Sequence, residues 1–417
     1  MRHKILAEYL LLTFWATISI VVVLAFRQST YTVAFFTFGA VIAASLLIAW
    51  AAEASEFSIS KGLALAIVAI VQTIPEYFVE GTIAWKAGKD PLIWVPNVIA
   101  NFTGANRLLT GLGWPLILFT LIIQKRRNGQ AGPTSIALRK EQSVELVFML
   151  GSSLYYMFVI IRGEISLLDS LILGLTFLGY MWLLYRLPAD KDRPEEILEG
   201  PSQALVNVKS IPRRVIAIVG LFLFAALTFV FVTDSFVESI RKIADDFLVG
   251  LLGSGAVFFS IQWIAPVLSE FPEKVTAFNW ARTIRLAPTA LLNFISSAVN
   301  ELTALVALVP IVFVISSGAT GGIPVGQHDV EIFLTMAQSL YACAALLDLE
   351  YNISNATILF ALWIVSTAIV EVRLVVGIVF LILAAVEVIA QRKKIVVFSA
   401  FRETMRDKIF RRRRASI

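Results

Sequence analysis

"VQTIPEYFVE", residues Val71 to Glu80, lies inside a long apolar stretch, yet it holds one proline and two glutamates. Both are unusual in a membrane-crossing helix. Proline breaks the hydrogen-bond ladder, and an acidic side chain at mid-bilayer costs on the order of 3 kcal/mol. That the stretch crosses a membrane follows from composition. The chain has 417 residues, 58% of them hydrophobic and only 16% charged, with a mean hydropathy of +0.81. Soluble proteins carry about a quarter charged residues. The apolar residues come in runs of roughly 17 to 30, the length a bilayer demands. The fold class is therefore all-α: a polytopic transmembrane helical bundle.

The runs predict twelve spans, at about 8–26, 31–53, 60–88, 91–124, 144–162, 165–186, 213–233, 245–273, 286–317, 330–349, 356–371 and 374–391. Glu371 to Arg373 alone separate the last two, so eleven spans is the alternative. Basic residues crowd the loops after Gln124 and after Tyr185, both termini are basic, and an even number of spans separates each of these segments. Twelve spans thus put all four on one side, the cytoplasmic one, whereas eleven would put the arginine-rich tail outside. This predicts an integral protein of a prokaryotic cell membrane with both termini in the cytoplasm. The polar segment 191–212 reads as a cytoplasmic linker. It divides an N-terminal half (1–190) from a C-terminal half (213–392), and a basic tail follows at 393–417. The tail admits a surface helix as well as a simple positive-inside anchor.

Other classes are excluded or weakened by what is scarce. A single cysteine, Cys343, rules out an internal disulfide and a cysteine-built metal site. Two histidines, His3 and His328, make a histidine-built metal site improbable. The net charge of +5 sits between spans and in the tail, where it faces anionic lipid, so it is no nucleic-acid signal. No polar catalytic cluster of the kind a membrane enzyme needs is present, and no resident cofactor is implied. The expected partners are the bilayer and inorganic cations.

The opening motif recurs. "VQTIPE" ends at Glu76 and "LSEFPE" ends at Glu273. Each precedes a helix rich in Asn and Ser/Thr, "PNVIANFTGANRLLTGLGWP" and "LNFISSAVNELTALVALVP", which runs on to Pro115 or Pro310. The first copy lies in the third span and the second in the eighth, so the two run in opposite directions. Inverted repeats, here 60–124 and 245–317, are the mark of secondary transporters with midplane sites at interrupted helices.

The chemistry follows from the residue types. Pro75 and Pro272 lack an N–H, which frees the carbonyls of Val71 and Leu268 as cation ligands. Glu76 and Glu80 are spaced i, i+4, and Glu270 and Glu273 i, i+3, so each pair shares a helix face. The two pairs would bring up to four carboxylates to one centre, where a bound cation or protons relieve their repulsion. Gln72, Thr73, Ser269, Asn97, Asn101, Asn106, Ser296, Ser297 and Asn300 add hard oxygen donors, the set that calcium and sodium take. Glu80 and Glu270 could instead face a vestibule or pair with Lys274. Arg107, Lys274 and Glu301 read as pairing residues rather than ligands.

These residues resemble the calcium/cation antiporter superfamily, best known from the sodium/calcium exchangers. That family carries two inverted repeats, each with a Gly-Thr-Ser-Leu-Pro-Glu-like motif followed by a Gly-Ser-Asn-x-x-Asn/Asp-like motif. The resemblance covers residues 60–124 and 250–317. It implies two inverted repeats of about five helices with an extra helix at each end, and calcium held by Glu76 and Glu273. Thr73 and Ser269 stand at hydroxyl positions of the family motif, while Gln72 and Glu270 replace hydroxyl residues. Ser296 and Asn300 fall on the second motif, and Asn106 and Asn101 match the first with an insertion. The resemblance implies no enzyme but a secondary active antiporter that exchanges calcium for sodium, or for protons, by alternating access. The lack of histidine near the motifs favours sodium. A channel or non-transporting sensor on the same repeats is the remaining class; the apolar spans outside the repeats offer it no polar pore.

Overall fold

The computed structural model describes residues 2–26, 31–55, 73–130, 134–187 and 200–410, almost wholly as helix. In chain order, α1 spans Arg2–Ala25, α2 Tyr31–Ser55, α3 Ile74–Lys89 and α4 Pro91–Arg107. A π-helical segment, Leu108–Gly113, joins α4 to α5, Trp114–Arg127. Then come α6 (Ser143–Arg162), α7 (Leu167–Arg186), α8 (Gly200–Val206), α9 (Ile211–Ile243), α10 (Ala256–Ser269) and α11 (Phe271–Arg282). A second π segment, Glu301–Leu305, joins α12 (Ala287–Asn300) to α13 (Val306–Ser317). The remaining helices are α14 (Asp329–Ala344), α15 (Ile353–Ala368), α16 (Arg373–Gln391) and α17 (Val397–Thr404). Among the described residues, eight helical runs are long and apolar enough to cross a membrane. The fold is a polytopic helical membrane bundle; its few strands form two two-stranded clips.

The departures from the expected spans have local causes. The expected spans 213–233 and 245–273 join into one helical run, Ile211–Ser269, interrupted near Gly253, whose φ of +62° only glycine adopts readily. The expected third and eighth spans do not carry their Pro-Glu motifs in a helix interior. A helix begins at each: Thr73 is a turn residue with Pro75 in the first turn of α3, and Glu270 is a turn residue with Pro272 in the first turn of α11. The first turn is where a missing N–H costs nothing. Pro96, Pro266 and Pro310 do lie inside helices, so the break belongs to the two motifs.

The chain forms two compact units. Unit 1 consists of Met1–Asn101 and Ala189–Glu273, and unit 2 of Phe102–Pro188 and Lys274–Ile417. In unit 1, α9 packs most extensively against α2. It also fixes α3: Phe78 stacks on Phe229, and Lys86 reaches Asp234 (2.7 Å) and Glu238 (2.8 Å). Lys86 and Lys89 stand in the last turn of α3 and Glu76 in its first, the arrangement the helix dipole favours.

In unit 2, α14 packs against α16 and α6, and α13 against α7. The first π segment needs its glycines. A Cβ on Gly111 would stand 2.5 Å from the Trp363 ring of α15, and one on Gly113 2.7 Å from the Phe294 ring of α12. Asn352 caps α15 by accepting the N–H of Asn355 at 3.0 Å.

Candidate cation site

Three elements of unit 1 converge on Glu76. Starting α3 at Ile74 puts Glu76 in its first turn and Glu80 one turn further on the same face. Asn101 of α4 lies opposite. Its Nδ2 donates to Glu76 Oε1 and to Glu80 Oε2, at 2.7 Å each. The third element is α10, whose last residue, Ser269, bonds to Glu76 Oε2 through its hydroxyl. That hydroxyl also lies 3.0 Å from Ala265 O, and its single proton serves one acceptor at a time. The Ser269 carbonyl accepts from Ser45 Oγ of α2 at 3.1 Å, which holds the broken end of α10 in place.

Burial makes this arrangement chemically significant. Glu76 is 2% exposed, and Glu80 and Asn101 are fully buried. Two carboxylates share one amide nitrogen, so they are close neighbours of like charge in a medium that screens poorly. Glu80 Oε1 and Asn101 Oδ1 are buried with no hydrogen-bond partner. Buried polar atoms are rarely left so. Two acidic side chains, an amide oxygen and a hydroxyl with spare lone pairs are the donor types that a hard cation takes, and the carboxylates can also take up protons.

The second Pro-Glu motif is built differently from the expectation. The i, i+3 pairing of Glu270 with Glu273 presupposes one continuous helix. The chain instead ends α10 at Ser269, turns at Glu270 and restarts, so the two glutamates do not share a helical face. Both are buried, at 6% and 7% exposure. A centre of four carboxylates is not formed: among the described residues, no three His, Cys, Asp or Glu side chains gather as a metal site. Thr73 is buried at the N-cap position of α3 without a capping bond. Pro272 cannot donate to the Leu268 carbonyl in the last turn of α10. Val71 and Gln72 lie outside the described residues.

Of the remaining expected donors, Asn97 of α4 stands in unit 1 and donates to Ile93 O at 3.0 Å, while the others stand in unit 2. Asn106 accepts from Ser339 Oγ at 2.8 Å and donates to Ala298 O at 3.4 Å. Ser296 is half-buried, its Oγ 2.8 Å from the Tyr180 hydroxyl. Asn300 is buried at the end of α12, directly before the second π segment. Next to Asn106, Arg107 donates to Glu331 at 2.7 Å, and Arg373 bonds to the other Glu331 oxygen. Gln338, also on α14, donates to Arg107 O (3.1 Å) and Thr110 Oγ1 (2.7 Å). Neither Glu331 nor Arg373 stands out in the sequence, since Glu331 opens one expected span and Arg373 lies between two others.

The site stands in a chain with known relatives. Residues 28–186 match the family described as sodium/calcium exchanger protein. A solved H+/Ca2+ exchanger, CAX, is 33% identical over 96% of each chain, with a TM-score of 0.83. The chain belongs to the calcium/cation antiporter superfamily. Two further structures share the antiporter's fold at lower identity. A sodium-calcium exchanger, NCX_Mj, is 16% identical, covers 79% of this chain and 94% of its own, and has a TM-score of 0.51. The native structure of YfkE is 15% identical over 90% of this chain and 99% of its own, with a TM-score of 0.57. No curated protein matches.

Proposed function

We propose that this antiporter exchanges calcium for protons at the Glu76–Glu80–Asn101–Ser269 site. The observation that carries the reading is the pair of buried carboxylates on one amide, with an unpartnered oxygen on Glu80 and another on Asn101. Calcium takes six to eight oxygen ligands, carboxylates foremost. One divalent cation or two protons neutralise the same two carboxylates, so the ions compete and cannot share the site. That competition is the coupling. Alternating access then moves whichever ion is bound, because the doubly charged empty pair is the costly state to carry across. In this reading Thr73 and the carbonyl of Leu268, with Val71 and Gln72, supply further oxygens, and Glu270 and Glu273 reach the ion only in another state of the alternating-access cycle.

The proton as counter-ion is supported by the 33% identity to an H+/Ca2+ exchanger along nearly the whole chain. Sodium is the second reading. The chain has only two histidines to carry protons, and neither lies near the Pro-Glu motifs. The protein is an integral membrane protein; we place it in a prokaryotic cell membrane with both termini in the cytoplasm, on the distribution of basic residues.

Reconstituted vesicles decide between the readings. Calcium uptake under a pH gradient without sodium is the expected result. Uptake only under a sodium gradient would replace the proton by sodium, and uptake under neither would overturn the calcium reading.

A further inference from the structure

The end of unit 2 where α16 leaves its span carries basic residues that the cation site does not use. The span closes at Gln391, and Arg392, Lys393 and Lys394 follow in a turn, all exposed. The chain is pinned again at once. The Val396 and Val397 N–H groups both donate to Leu347 O, at 2.9 and 3.1 Å, just past the end of α14. From there α17 packs against the start of α6 and the turn Lys140–Gln142 before it. It buries Val397, Ala400 and Thr404, an i, i+3, i+7 stripe, and Lys140 reaches Glu403 at 2.8 Å. Lys140 opens one span and Gln391 closes another, so α17 lies at the depth of the lipid headgroups.

The opposite face of α17 is turned away from the protein. Phe398 is 50% exposed, and Arg402, one turn on, is exposed beside it. Among the described residues, no carboxylate pairs with Arg392, Lys393 or Arg402. The acidic groups at this end have other partners. Glu141 and Glu403 both act on Lys140, and Asp407 holds Arg406 at 2.9 Å. Glu350 accepts the Ser135 hydroxyl, Asp348 the Glu350 N–H, and Glu387 the amides of Asn355 and Gln391. The chain after α5 returns to the same end, with Leu138 N–H donating to Leu349 O at 2.8 Å. α5 itself ends in two more exposed cations, Arg126 and Arg127. The surplus of positive charge and the exposed aromatic ring thus meet at headgroup depth. An interfacial helix has that composition: a ring for the acyl boundary and cations for the phosphate layer.

We propose that this face of α17 is a docking surface for anionic phospholipid. Phe398 enters the boundary between headgroups and acyl chains, and Arg392, Lys393 and Arg402 bind lipid phosphates. A guanidinium pairs with two phosphate oxygens at once, and an anionic headgroup carries no ammonium to compete for them. The buried stripe then keeps α17 on α6 while its other face holds lipid. The inference is independent of which ions the antiporter exchanges.

The full-length protein in lipid nanodiscs tests it. Cys343 is buried, so a spin label attached through Ser399→Cys, beside Phe398, reports the exposed face of α17. In discs of mixed phosphatidylglycerol and phosphatidylcholine, membrane-dissolved oxygen is expected to relax the label more than an aqueous nickel chelate does. In discs of phosphatidylcholine alone, the order reverses. A label equally aqueous in both discs overturns the proposal. Each basic residue near an anionic surface is worth about fivefold in affinity, so Arg392→Gln, Lys393→Gln and Arg402→Gln together weaken phosphatidylglycerol binding to the solubilised protein by on the order of a hundredfold. The unfolding temperature of this variant in detergent without added lipid stays at the wild-type value, because the three side chains point away from the packed stripe. Wild-type binding by the triple variant also overturns the proposal. Inorganic phosphate added to phosphatidylcholine discs leaves the label unchanged; a shift would assign the face to a soluble anion instead. Capture of polyglutamate by the mixed discs, with the label still aqueous, would assign it to an acidic protein, and either result overturns the lipid.

Discussion

Glu80 and Glu331 are both buried carboxylates, and the protein treats them in opposite ways. Glu331 in unit 2 lies between two guanidinium groups, those of Arg107 and Arg373. Glu80 in unit 1 has a neutral amide, Asn101, and a like-charged neighbour, Glu76. A carboxylate between arginines has its charge compensated permanently, so it can tie helices together but has no need of a passing ion. A carboxylate beside another carboxylate is compensated only when a cation or proton arrives. In the proposed reading it is Glu80, and not the arginine-held Glu331, that takes up the transported ion.

Substitutions test this contrast, and the largest effect on transport belongs to Glu76. Replacing a buried charged ligand costs about 2–5 kcal/mol, so Glu76→Gln is expected to lower calcium uptake by on the order of a hundredfold. The folded protein persists, because the glutamine oxygen still accepts from Asn101 and its amide N–H can donate to the Ser269 hydroxyl oxygen. A Glu76→Gln protein that exchanges at the wild-type rate would remove it from the site. Glu331→Gln acts on the fold instead. Breaking a buried pair leaves uncompensated charge and costs about 3–5 kcal/mol. The expected result is a sharply lower unfolding temperature in detergent, and wild-type stability would show that the cluster is not structural.

Glu80→Gln should separate the two roles most cleanly. Removing one of two like charges relieves repulsion, so stability in detergent stays level or rises, opposite in sign to Glu331→Gln. Calcium uptake falls by about tenfold and loses most of its pH dependence, since one carboxylate that bound either ion is gone. A fall in stability as large as that of Glu331→Gln would erase the contrast.

Polar atoms in an apolar run were legible in the sequence because the bilayer makes each one costly. Glu76, Glu80, Asn101 and Ser269 stood out for that reason, and the two Pro-Glu motifs pointed to their convergence. Periodicity could not foresee that α10 ends at Ser269, because an i, i+3 argument assumes that the helix continues. It therefore expected Glu270 to join Glu273 on one face. Arg107 was legible as a pairing residue, but Glu331 lies 224 positions away, and no local rule reports a contact of that range. The same holds for Gly111 and Gly113, where it is Trp363 and Phe294 that demand the missing side chain.

The smallest expected effect concerns pH at the edge of the compensated cluster. His328 lies in the turn just before α14, outside the membrane-spanning helices. Burial holds its imidazole below the usual range, against the opposing pull of Glu331 and Asp329. The unfolded chain therefore binds that proton more readily than the folded one. The contribution of His328 to stability is present above its unfolded value, about 6.5, and is lost as pH falls from there through the lower folded value. Unfolding temperature in detergent, followed from about pH 7.5 to 5.5, should drop less steeply for His328→Gln than for wild type. Parallel curves would mean that the turn releases His328 to solvent, and that the arginine-held Glu331 exerts no reach beyond its own pair.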